Sequence, residues 1–255
     1  MIKVDRVTKK YGSFTAVDHM SFELRPGEIV GFLGPNGSGK TTLMRVMSTY
    51  FLPTEGTVYI DDIDVTKQPF EARERLGYLP ESNILYPQMR VSEYLAFVGK
   101  IRGLSGAYLR ERTDICVEAM KLQNVLHKKT MECSKGYKQR ISLAATLLHD
   151  PKYIILDEPT IGLDPLQIFM LRDFLKLIAK DKILMLSSHI LQEVAALSQR
   201  VIIIHHGKQI ADTTFDATEN RTETLEKIFQ VAVQKDLPND SAPAGSKPEG
   251  TGALS

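Results

Sequence analysis

Apolar and polar residues alternate along the first two segments of the chain, IKVDRVTKKY at 2–11 and AVDHMSFELRP at 16–26, and both end at turn-forming residues. Period-two patterning of this kind predicts strands with one buried face. The next segment, EIVGFLG at 28–34, is almost entirely apolar, which predicts a strand covered on both faces. A glycine-rich loop follows, then KTTLMRVMSTY with helical spacing, then TVYIDDIDV and RLGYLPE as two short strands. From Val91 to about His149 the period becomes helical throughout: VSEYLAFVGKIRG, AYLRERTDICVEAMKL and KQRISLAATLLHD include no strand-like run. Strands and helices then alternate: YIILDEP, a helix over Leu166 to Lys180, KILMLSSH, a helix over Leu191 to Leu197, and RVIIIHHGKQIAD. That order predicts an α/β fold with a mainly parallel sheet, an antiparallel β part at the N-terminus and a helical insertion.

Composition narrows the partners. The 255 residues carry a formal net charge of +1, which offers no electrostatic ground for nucleic acid. Two cysteines, Cys116 and Cys133, make neither a disulfide framework nor a metal cluster. The opening MIKVDRVTKKYG has no apolar core, so no signal peptide is expected, and no apolar run nears the roughly 20 residues that span a bilayer. From Asp236 onward Pro238, Pro243 and Pro248 stand among Gly and Ser with almost no large apolar residue, and this tail is expected to be disordered.

The chemistry concentrates at strand ends. Gly34, Pro35, Asn36, Gly37, Ser38, Gly39, Lys40, Thr41 and Thr42 spell G-x-x-x-x-G-K-T-T between a buried strand and a helix, the context a phosphate loop requires. Its backbone N–H groups can wrap an anion, Lys40 can reach the β and γ phosphates, and the Thr41 hydroxyl can ligate Mg²⁺. YIILDE places Asp157 at the end of an apolar strand, beside such a metal, with Glu158 next to it as a base to orient water. His189 ends KILMLSSH, where open α/β sheets bind ligands, although a lone histidine there is more often structural. His205 and His206 end a strand before a glycine turn and carry no evident chemistry.

A second stretch, ECSKGYKQR at 132–140, has the makings of another phosphate grip, with Ser134 and Gly136 at the start of a helix. The order phosphate loop, helical insertion, SKGYKQ, LDEP, GLDP, SSH resembles the ATP-binding cassette subunits of ABC transporters, over about residues 1–215. The resemblance implies a P-loop NTPase core over 1–220 with a helical subdomain at about 88–150, a C-terminal helix at 221–235 and a tail at 236–255. It implies ATP and Mg²⁺ as ligands and a second copy or a related cassette as partner, with Ser134 and Gly136 closing over the partner's ATP. It also implies a separate integral membrane permease, export as the direction, and a peripheral position on the cytoplasmic side of the membrane.

Two departures from the family pattern stand out. The usual Leu-Ser-Gly-Gly-Gln is here Cys133-Ser134-Lys135-Gly136-Tyr137, and the usual Gln before the insertion is Glu81, a candidate for metal binding and catalysis. By the same resemblance, Tyr11 corresponds to an aromatic that stacks on adenine, and Asp164 lies in a loop that touches the partner's site. Each keeps a plainer alternative: Tyr11 as a strand-end tyrosine, Ser134 as a helix cap. Ile84, Leu85 and Tyr86 in SNILYPQMR either form a docking cleft for the permease or pack against the insertion. A cytosolic mechanical ATPase of the same kind is the rival function.

Overall fold

The computed structural model describes residues 1–82, 84–215 and 220–236, with backbone alone for 232–236. Among them, ten strands form two sheets. Strands β1 (Ile2–Tyr11), β2 (Phe14–Leu24), β4 (Glu55–Ile60) and β5 (Ile63–Asp64) make an antiparallel sheet in the order β2-β1-β4-β5. The larger sheet has the order β10-β9-β3-β8-β7-β6. It contains β3 (Ile29–Leu33), β6 (Leu76–Leu79), β7 (Tyr153–Leu156), β8 (Ile183–Ser188), β9 (Arg200–His205) and β10 (Lys208–Thr214). All its pairings are parallel except that of β9 with β10.

The unbroken apolar runs become the centre of the larger sheet because both of its faces are covered. Every residue of β3, β7 and β8 is buried. In β7, Ile154 and Leu156 join a core with Leu143 and Leu171, while Tyr153 and Ile155 join one with Phe32, Met44 and Val58. The first core lies under helices α3 (Val91–Ile101), α4 (Gly106–Ala119), α5 (Lys135–Leu147) and α6 (Pro165–Ile178), and the second lies under α1 (Lys40–Met47) and the antiparallel sheet. A third cluster packs α7 (Leu191–Leu197) and α8 (Arg221–Asp236) against β9 through Val194, Val201, Ile203 and Leu225. Each large apolar side chain so buried contributes on the order of 2 kcal/mol.

Three local outcomes differ from the pattern. TVYIDDIDV is a hairpin, β4 to β5, because Asp61 adopts a left-handed turn with φ 46°. Helix α2 (Pro69–Arg75) has one buried residue, Ala72, so no apolar period could announce it. β1 and β2 lose strict alternation at bulges, where Arg6 and His19 have φ 48° and 49°, and Val7 and Thr8 are both buried. The tail expected to be disordered lies, beyond Asp236, outside the described residues. Among the described residues no helix is long and apolar enough to cross a membrane.

Candidate nucleotide site

Parallel pairing sends the chain out of β3, β7 and β8 at one edge of the sheet, since Leu33 lies opposite Ser188 and Leu156 opposite Leu186. Ligands collect at such edges in open α/β sheets. The loop from Gly34 to Gly39 turns β3 into α1, with left-handed Gly37 (φ 80°) and Gly39 (φ 107°). A methyl group on Gly39 would come within 2.3 Å of Ala16 O, so glycine is required there on two counts. Lys40 opens the helix and is almost fully buried, its Nζ donating to Gly34 O at 2.7 Å and Pro35 O at 3.2 Å. Burial lowers the Lys40 pKa, against the pull of Glu158, Asp157 and Glu81.

A cleft of about 550 Å³ opens above this loop, a size suited to a nucleotide. Asn36, Gly37, Gly39, Lys40, Thr41 and Thr42 line it on one side, Glu81, Glu158 and His189 on another, and Tyr11, Phe14, Ala16 and Ile161 elsewhere. Gly34 and Ser38 are buried behind the loop, and Pro35 is exposed away from the cleft lining. Ser38 Oγ has no hydrogen-bond partner.

Asp157 is fully buried and is not among the residues lining the cleft. Its Oδ1 accepts a hydrogen bond from Ser187 Oγ at 2.6 Å, while its Oδ2 has no partner. Glu158 follows in a left-handed conformation, φ 51°, a strained state for a residue with a side chain. Its N–H donates to Ser187 Oγ at 2.9 Å, its Oε1 lies 3.0 Å from His189 Nδ1, and its Oε2 is buried without a partner. Burial raises the Glu158 carboxyl above its ordinary value, with the His189 hydrogen bond the largest opposing effect. Glu158 lines the cleft with Thr41 and Glu81, and it and Asp157 each keep a buried unpaired oxygen; carboxylate and hydroxyl oxygens of this kind fit a hard cation.

Ser134, Gly136 and Asp164 do not line this cleft. Ser134 caps α5, its Oγ accepting the Tyr137 N–H at 3.4 Å, and its side chain is exposed. Gly136 is pressed against the turn that follows Glu158: a methyl there would lie 2.7 Å from Gln167 Oε1 and 3.1 Å from Gly162 O. The stem of Lys135 crosses left-handed Gly162, so the unusual lysine packs on the chain's own turn as well as adding charge. Asp164 caps α6 by accepting the Gln167 N–H at 2.9 Å.

Phe14, Ala16, Ile161 and Ser187 belong to the site without having been legible as members. Phe14 had a signal, an aromatic three residues past Tyr11 across a Gly-Ser turn, and it is more exposed than Tyr11, 62% against 45%. The other three are ordinary core types whose role depends on which strand ends meet. Of the docking candidates, Ile84 is exposed, Leu85 packs on the core, and the Tyr86 ring meets Phe97 edge-on at 5.5 Å.

The family model described as ABC transporter matches residues 17–161. Nod factor export ATP-binding protein I of Paraburkholderia xenovorans is 36% identical over 212 residues, 83% of this chain and 70% of that protein. ABC transporter ATP-binding protein NatA of Bacillus subtilis is 34% identical over 218 residues, covering 84% and 89% of the two. Among solved structures, the dimer of a bacterial ABC transporter cassette aligns with a TM-score of 0.76 and 26% identity, over 85% of this chain and 100% of that one. The same cassette is also known as a post-hydrolysis dimer bound to ADP and Pi. With a phosphate loop and two carboxylates just past a strand end on one matching frame, this chain belongs to the ABC transporter family, as an ATP-binding subunit with ATPase activity.

Proposed function

We propose that two copies of this chain, or one copy and a related cassette, close around two ATP·Mg²⁺ and drive a separate integral membrane permease, in the direction of export. The observation that carries this is that neither Ser134 nor Gly136 lines its own cleft. Ser134 is exposed at the start of α5, with Gly136 buried against the turn behind it, and that helix start suits a γ-phosphate, which a second copy supplies. The export named for the Paraburkholderia relative supports the direction. In this scheme residues 1–220 are the catalytic domain, about 88–150 its helical subdomain and 221–235 an appended helix, and the chain sits on the cytoplasmic face of the membrane.

Within each site Lys40 and the loop amides hold the phosphates, and Tyr11 faces the base. Thr41, Asp157 and Glu81 would hold Mg²⁺, which when bound would neutralise phosphate charge. Glu158 orients and deprotonates the attacking water, and His189 aligns Glu158 and approaches the γ-phosphate. Ile84 borders a cleft of about 220 Å³ with Tyr78, Pro80, Tyr94 and Arg102, open to a helix of the permease.

The test uses Glu158→Gln, which keeps shape and removes the base. ATP with Mg²⁺ should convert it to a dimer on size-exclusion chromatography while hydrolysis nearly stops, and a membrane protein should co-purify with the tagged chain from solubilised membranes. A monomer at saturating ATP would refute the shared site, and co-purifying ribosomes in place of a membrane protein would refute transport.

A further inference from the structure

Glu193 is a charged residue without a task in that scheme. It stands in the first turn of α7, 8% exposed, and a carboxylate is rarely kept so deep unless hydrogen bonds hold it there. Its Oε2 accepts two, from Thr160 Oγ1 at 2.6 Å and from Ser188 Oγ at 3.0 Å. Both donors are themselves buried. Thr160 lies two residues after Glu158, and Ser188 immediately precedes His189. Ser188 Oγ also accepts the Ile190 N–H at 3.0 Å, so the backbone is held on both sides of His189.

A second rung runs beside the first, for Ser187 Oγ joins Asp157 Oδ1 to the Glu158 N–H. The chain leaving β7 and the chain leaving β8 are therefore tied twice. The Ser187 rung holds Asp157 and the Glu158 backbone from one side. The Glu193 rung holds the residues beyond Glu158 and before His189 from the other. An acceptor-only group suits this place, because both hydroxyls must donate to it, and Ser188 must keep a lone pair for Ile190. Glu193 does not line the nucleotide cleft.

We propose that Glu193 is a positioning residue for ATP hydrolysis, tying the Glu158 turn to the His189 loop so that the pair keeps its 3.0 Å separation. The inference rests on the roles assigned above to Glu158 and His189.

The test is steady-state ATPase kinetics on the full chain. Glu193→Met keeps length and removes the acceptor, while Thr160→Val removes one hydroxyl with little change of shape. We expect kcat to fall about tenfold for Glu193→Met and roughly threefold for Thr160→Val, with the ATP KM within about twofold. Glu193→Gln keeps an acceptor oxygen and should stay within about threefold of the original rate. In a His189→Ala background Thr160→Val should cost almost nothing further, because the pair it positions is already broken. A merely structural role would give the same fold-loss in both backgrounds, and that result overturns the proposal. So does a normal kcat in Thr160→Val and Glu193→Met, or a Glu193→Gln as slow as Glu193→Met. If Glu193→Met fails to fold, Thr160→Val in the two backgrounds decides. Glu158→Gln, measured alongside, separates the two levels: if it still hydrolyses ATP, the premise has failed, and if it does not while Thr160→Val is normal, only the Glu193 inference has.

Discussion

His189 Nδ1 lies 3.0 Å from Glu158 Oε1, so the imidazole just beyond β8 meets the carboxylate just beyond β7. Burial raises the Glu158 carboxyl above about 4.5, and His189 is the strongest force pulling it back. A base works only when deprotonated, so the ATPase rate should fall on acidification along a limb displaced above the ordinary glutamate range. His189→Ala should lower kcat about 10²-fold with little change in ATP affinity, and should move the remaining acid limb higher still. A pH–rate profile of both proteins checks this; a limb that stays in place would detach His189 from Glu158.

The same burial implies a cost in stability. With its folded pKa raised, Glu158 binds more protons in the folded than in the unfolded state between the two values. Stability is therefore lost as pH rises through that window, and the deficit persists at pH 7. Glu158→Gln should therefore stabilise the protein at pH 7 and raise its Tm. The gain should vanish below pH 4, as thermal melts at the two pH values would reveal.

His149 provides the opposite case. Burial, with the Arg102 charge next, lowers its pKa to about 4, while its Nε2 lies 3.1 Å from Leu76 O. The unfolded chain takes up this proton near pH 6.5 and the folded chain only near 4. The stability it confers is thus fully present above 6.5 and is lost as pH falls to 4, by about 3 kcal/mol in all. His149→Phe, which cannot titrate, should flatten the change in urea midpoint between pH 7 and 5. An unchanged slope would assign acid sensitivity to other groups.

Two damaged copies should help one another. Ser134→Arg spoils the grip on the partner's ATP and leaves its own phosphate loop whole, and Lys40→Ala does the reverse. In a mixed dimer one composite site carries both lesions and the other carries none. Mixing two inactive proteins should then restore ATPase activity, up to about half per dimer if the sites act independently. With mixed dimers verified by cross-linking, an absence of rescue would leave Ser134 as the cap of α5 alone.

What the sequence determined by itself was local. The continuous apolar run at Ile29–Leu33 announced a strand covered on both faces, because only such strands exclude polar residues from both sides; that Tyr153–Leu156 and Ile183–Ser188 are covered likewise came from the packing. The G-x-x-x-x-G-K-T loop, Asp157, Glu158 and His189 were legible since each lies within two residues of the end of one of those strands, and parallel strands end at a common edge. Helix α2 and the turn at Asp61 were not legible, one for want of apolar periodicity, the other because a left-handed aspartate leaves no trace in a pattern.

Tertiary structure alone decided what stands between those ends. Ser187, Ser188, Thr160 and Glu193 are small or polar residues of common types, with no shared motif and up to 33 positions between them. Only strand pairing brings them together, and only burial turns their hydroxyls into obligatory partners. The same holds for the second grip: the spacing of Ser134 and Gly136 suggests a phosphate, but that neither lines its own cleft follows from how α5 packs on Gly162 and Gln167. Sequence neighbours specify elements through local sterics and period; which distant side chains must satisfy one another depends on the packed layers that shut out water.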